Sequence, residues 1–111
     1  MSDSLDQLAQ QLKDFAQARD WGQFHSPKNL ASALIVEAGE LLEHFQWMTE
    51  AQSRDLAAPQ REAVALEMAD VLLYLIQMSN ELGIDLVDAA RRKIAINEGR
   101  FPPLRRTADQ A

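Results

Sequence analysis

An all-α fold is what this sequence predicts, and three observations predict it. Apolar residues recur at three- and four-residue spacing through nearly the whole chain. Gly and Pro number only four each among 111 residues, too few for the many turns of an all-β domain. Aromatic residues make up only 6% of the chain, which also points away from an all-β domain.

Leu5, Leu8, Leu12 and Phe15 mark one face of a first helix, for which Ser4 and Gln7 form a candidate capping box. That helix is expected to end near Trp21-Gly22. A polar connection, Gln23–Lys28, carries His25 and Pro27. A second helix is predicted over Asn29–Met48, apolar around most of its circumference and therefore buried on more than one side. Thr49–Pro59 reads as a loop with one helical turn around Gln52–Leu56. Pro59 suits a first helical position, and a third helix follows from Gln60 to Leu82, closed by Gly83. Asp85 caps a fourth helix reaching Asn97, stopped by Gly99 and Pro102. Residues 1–102 form one domain and 103–111 an extended or disordered tail. Two central helices this apolar exceed what two partly polar neighbours cover, so the bundle is expected to be completed by homo-oligomerisation.

Composition excludes several functions. A formal charge of −6 and a pI near 4.8 argue against a nucleic-acid polymer as partner. The absence of cysteine removes disulfides and thiolate metal sites. The apolar runs are too short and too often interrupted for a membrane span. The first residues lack the pattern of a secretion signal, and a cytoplasmic location is expected.

Four carboxylates carry the chemistry. Glu37-x-x-Glu40 and Glu67-x-x-Asp70 each place two acids on one helical face. Both pairs lie inside apolar runs, and no Lys or Arg occurs between Ala31 and Ser53 or between Glu62 and Ala90. Burying an unpaired carboxylate costs several kcal/mol, in a domain stable by about 5–15 kcal/mol overall. A divalent cation is the simplest offset. An all-oxygen ligand set suits Mg²⁺ or Mn²⁺. Di-iron carboxylate chemistry wants Glu-x-x-His, and His44 follows Glu40 by four residues instead of three. Glu43, one turn beyond Glu40, is a further ligand or a base for a bound water. Gly39 reads as a close-packing position, with room for a phosphate as the alternative. Trp47, at a helix end beside polar residues, is placed to stack a base. Tyr74 follows Asp70 by one turn, and Lys93 and Asn97 share a face suited to phosphate.

The segments Arg19-Asp20-Trp21-x-x-Phe24-His25-x-Pro27-x-Asn29-Leu30, Glu37-Ala38-Gly39-Glu40-Leu41-x-Glu43-x-Phe45-Gln46-Trp47, Glu67-Met68-Ala69-Asp70-Val71-Leu72-x-Tyr74-Leu75 and Lys93-x-x-x-Asn97-x-x-Arg100-Phe101-Pro102 occur in one order over residues 5–102. In this the chain resembles the MazG-like all-α nucleoside triphosphate pyrophosphohydrolases, and the dCTP pyrophosphatase branch in particular. The resemblance implies a four-helix subunit in a homodimer or dimer of dimers, with Mg²⁺ held by Glu37, Glu40, Glu67 and Asp70. It implies hydrolysis of a nucleoside triphosphate between its α- and β-phosphates, with Glu40 or Glu43 as the base. Trp21, His25 and Trp47 would then hold the nucleobase, and Tyr74, Lys93 and Asn97 the sugar and phosphates, with the fourth helix reaching a neighbouring subunit's site. Arg19 is read as one half of a structural ion pair. The alternatives are phosphoribosyl-ATP pyrophosphohydrolysis and a non-catalytic helical binding module.

Overall fold

The computed structural model describes residues 2–104, and everything below concerns those residues. They form five α-helices and one 3-10 turn, and no strand. Helix α1 spans Ser2–Ala18, the 3-10 turn Trp21–Phe24, α2 Pro27–Glu43, α3 Glu50–Ser53, α4 Ala58–Leu82 and α5 Leu86–Arg100.

The helix ends follow local chemistry. Helix α1 begins before Ser4, which is therefore inside the helix and not its cap. It stops at Ala18, short of Trp21, because Asp20 turns left-handed (φ 55°, ψ 37°), a conformation that Asp tolerates better than most residues. Gln23 Nε2 donates to the Asp20 carbonyl at 3.2 Å and braces that turn. The Ser26 hydroxyl accepts the Asn29 N–H at 3.1 Å, capping α2, with Pro27 in the first turn.

Helix α2 ends at Glu43, five residues before the expected Met48. There Phe45 N–H bonds to the Leu42 carbonyl and Met48 N–H to that of Phe45, the tighter i to i+3 pattern that closes a last turn. Thr49 then opens α3 with a complete capping box: its hydroxyl accepts from Gln52 N–H, and Gln52 Oε1 accepts from Thr49 N–H. Gly83 ends α4 in the left-handed region at φ 64°, as expected. Helix α5 is capped by Asp85, which accepts from Asp88 N–H, and runs through Gly99 to Arg100. An interior Gly costs about 1 kcal/mol and does not by itself end a helix. The residue before a proline leaves the helical region, and Phe101, before Pro102-Pro103, sits at φ −128° and ψ 72°. Residues 105–111, most of the predicted tail, lie outside the described residues.

Helix α2 packs along α4, and α1 packs on α4 and on the 3-10 turn. Asn80 Nδ2 donates to the Ala9 carbonyl at 3.0 Å and ties α4 to α1 over a long sequence separation. Only Leu30, Val64 and Ile76 are buried hydrophobics. Full burial of such a side chain contributes about 1.5–3 kcal/mol, so three are a thin core for a chain of this length. Meanwhile 17 large hydrophobics are exposed, among them Ile35 on α2, Met68 and Leu72 on α4 and Ile94 on α5. The radius of gyration is 18.1 Å, against about 13 Å for a compact chain of this length. Helix α5 makes little contact with the other helices beyond its first residues, Leu86 and Val87, which line a cavity with α1 and α4. A Cβ at Gly39 would meet nothing within 4 Å, so no neighbour in the subunit packs closely on it as the sequence suggested.

Candidate metal centre and adjoining cavity

The contact between α2 and α4 is where acidic side chains meet. One carboxylate oxygen from each of Glu37, Glu67 and Asp70 lies within 4.8 Å of the other two. Ligand oxygens around one Mg²⁺, at bonds of about 2.0–2.1 Å in an octahedron, stand roughly 3–4 Å apart, so a small closure of this trio would bracket a cation. Glu37 and Glu67 are half-buried and Asp70 is exposed. Glu37 Oε2 and Glu67 Oε2 are buried with no hydrogen-bond partner. A buried acceptor without a donor is unfavourable, and more so when charged. The donor set, hard and anionic with orphaned oxygens, fits a divalent cation.

The electrostatics agree. The Glu37 carboxyl is pushed up to about 7 by burial first, then by its contacts with the Glu67 and Glu40 carboxylates and repulsion from Glu40 and Asp70. Glu40 therefore stands beside Glu37, half-buried, although it does not join the converging trio. Glu43 is exposed at the end of α2 and outside the trio.

A cavity of about 300 Å³ adjoins Asp70. Trp21, His25 and Tyr74 line it together, two of the residues expected at the base and one expected at the sugar and phosphates. Trp21 is held edge-on between Phe15, at 5.3 Å between ring centroids, and His25, at 5.9 Å. Arg19 forms no ion pair. Its guanidinium lies 3.5 Å over the Phe15 ring and donates to the Phe15 carbonyl at 3.2 Å, which fixes one wall of the cavity from behind.

The remaining candidates are not brought in. Trp47 is 89% exposed in the turn after α2 and lines no cavity with Trp21 or His25. Lys93 and Asn97 ride on α5 and do not line the cavity beside Asp70. Sequence reasoning missed Leu12, Phe15, Leu73 and Gln77, which also line the cavity. Gln77 could have been found, since it continues the Asp70–Tyr74 stripe at i+7.

Residues 33–103 match the MazG-like family. This chain belongs to that family. It is 41% identical over 101 residues to dCTP pyrophosphatase 1 of Homo sapiens, covering 89% of this chain and 59% of that protein. A shorter match, 41% identical over 46 residues, relates it to a dATP/dGTP diphosphohydrolase of Cyanophage S-2L, over 41% of this chain and 44% of the phage protein. The fold matches a crystal structure of a pyrophosphatase from Archaeoglobus fulgidus with a TM-score of 0.84 and 34% identity, over 90% of this chain and 94% of that one. This MazG-like chain thus spans about three fifths of the length of the dCTP pyrophosphatases it matches.

Proposed function

We propose that the protein is a metal-dependent nucleoside triphosphate pyrophosphohydrolase acting on dCTP or modified pyrimidine deoxynucleotides. The observation that carries this reading is the convergence of Glu37, Glu67 and Asp70, with two orphaned oxygens, at the rim of an aromatic cavity sized for a nucleobase. The similarity to dCTP pyrophosphatases over most of the chain supports the same substrate class.

In this reading Glu37, Glu67 and Asp70, with Glu40 beside them, hold Mg²⁺, or Mn²⁺ in its place. The cation supplies charge neutralisation to the phosphate oxygens. Glu40, outside the converging trio, takes a proton from the water that attacks the α-phosphorus. Exposed Glu43 is the second candidate for that base. The new P–O bond forms as the bond from the α-phosphorus to the bridging oxygen breaks, giving a nucleoside monophosphate and pyrophosphate. Trp21 and His25 flank the base, and the Tyr74 hydroxyl lies between base and phosphates.

The reading includes a homo-oligomer, a dimer or dimer of dimers. Met68, Leu72, Leu75 and Leu82 follow one another on α4 at alternating three- and four-residue steps through Ser79, and all four are exposed. Such a seam suits packing against another helix, and a second copy would also bring a neighbour's α5, with Lys93 and Asn97, toward the carboxylates. No described helix is long and apolar enough to cross a membrane, and a cytoplasmic enzyme of the nucleotide pool fits this activity.

Incubation with a panel of nucleoside triphosphates and Mg²⁺ tests the reading. Pyrophosphate and monophosphate are expected from dCTP. Absence of pyrophosphate with every nucleotide overturns it.

A further inference from the structure

Gln77 is the polar residue of the cavity that the reaction above does not use. Asp70, Tyr74 and Gln77 lie on one stripe of α4 at i, i+4 and i+7, and all three line the cavity. From Asp70 to Gln77 is about 10 Å along the helix axis, comparable to the span from a nucleotide's α-phosphorus to the far edge of its base. Phosphates anchored at the carboxylates would thus set the base edge against Gln77, with Phe15, Trp21 and Leu73 on the surrounding walls.

The carboxamide is unspent. Gln77 Oε1 is buried and has no hydrogen-bond donor. The same side chain lines a second cavity of about 360 Å³ behind the first, bounded by Lys13, Asp20 and Glu81, so Gln77 stands where the two spaces meet. A buried amide oxygen without a donor is unfavourable, and none of the lining side chains, Trp21, His25 and Tyr74 included, donates to it.

We propose that Gln77 is a specificity-determining residue whose carboxamide hydrogen-bonds the polar edge of the nucleobase and selects an amino-bearing pyrimidine. The chemistry is complementary. An amide presents an acceptor beside a donor, and cytosine presents its exocyclic amino donor beside the ring N3 acceptor. A rotation of the terminal amide that brings Oε1 onto the cavity would let the amino group meet the acceptor that lacks a donor. Uracil and thymine carry a carbonyl oxygen in that place and would set two acceptors face to face. A site built around such a pair rejects the mismatched analogue strongly, because its own polar groups are then left unpaired.

This inference rests on the proposed pyrophosphohydrolase activity, and steady-state kinetics of the full chain with dCTP, dUTP and dTTP separate the two. Wild type is expected to prefer dCTP. Gln77→Leu is expected to raise KM for dCTP about tenfold or more, leave kcat within a few-fold, and bring the kcat/KM ratios among the three nucleotides close to one. A wild type that hydrolyses none of them overturns the activity itself. An active wild type whose base ratios persist in Gln77→Leu, whether or not KM rises equally for all three, overturns the role of Gln77. Should Gln77→Leu melt without cooperativity, Gln77→Met, flexible and of similar length, is read against the same ratios.

Discussion

The α2–α4 contact and helix α5 carry two halves of the predicted site, and the subunit treats them differently. On the first, acids separated by 30 residues in sequence meet within 4.8 Å. On the second, Lys93 and Asn97 lie on a helix that makes little contact with the others. The first half is closed by contacts inside one chain. The second is left open, as are apolar side chains on α2, α4 and α5, and the proposed homo-oligomer would cover them.

The sharpest way to break this comparison is to remove an acid. Glu67→Ala is expected to lower metal-dependent pyrophosphate release by roughly a thousandfold, with helix content unchanged by circular dichroism. Because Glu67 adds to the burden on Glu37, the metal-free variant should melt no lower than metal-free wild type. A marked loss of stability would make the acids structural and leave the two halves alike.

Next in size is the assembly. Leu72→Glu places a charge in the exposed α4 seam, where Leu72 is 39% exposed in the isolated subunit. If that seam is the interface, multi-angle light scattering should show the particle mass falling to that of one chain at micromolar concentration. An unchanged mass would move the contact elsewhere.

What was legible in the sequence divides along the same line. Helical periodicity, Gly83 and the cap at Asp85 are local, and they lie within a few residues of their effects; the cap at Ser26 is equally local but lay inside what read as a polar connection. The carboxylate cluster was legible because two i, i+3 pairs in cation-free apolar runs leave few explanations. The early end of α2 at Glu43 was not, because the apolar pattern runs through Phe45 and Trp47 while the backbone tightens and Thr49 starts a new helix. Arg19 looked like an ion-pair partner because its charge is visible in sequence, whereas its seat over Phe15 is a one-turn contact that charge counting ignores. Trp47, Lys93 and Asn97 do not line the cavity beside Asp70, and side-chain type and spacing alone do not encode such long-range placement.

A smaller effect tests whether α5 serves a neighbour. Lys93→Ala should reduce kcat/KM for dCTP about tenfold to a hundredfold, the loss of one charge-assisted phosphate contact. Mixing Lys93→Ala with Glu67→Ala subunits and re-equilibrating them should restore activity above either variant alone, since one of the two composite sites in a mixed pair is then intact. No recovery would put Lys93 and the acids in the same subunit's site, against the placement of α5 here.

The smallest effect is a pH dependence that belongs to the closed half alone. Glu37 is pushed up to about 7 from an ordinary carboxylate value of 4.5. Between those values the folded, metal-free chain binds a proton that the unfolded chain releases, so this group favours folding at low pH and loses that contribution as pH rises through 7. Metal-free protein should therefore melt higher at pH 5.5 than at pH 8 on this account, a trend opposite to that of a carboxylate held by a cation. A divalent ion competes with the same proton. Apparent Mg²⁺ affinity, measured by calorimetry, should rise with pH across 6 to 8, and saturating Mg²⁺ should cancel the stability trend. Glu40→Gln removes one of the repelling charges and should shift both midpoints downward while leaving α5 untouched. If the midpoints stay where they are, the burden on Glu37 comes from burial and from Glu67 and Asp70 alone, and Glu40 stands further from the centre than its influence on Glu37 implies.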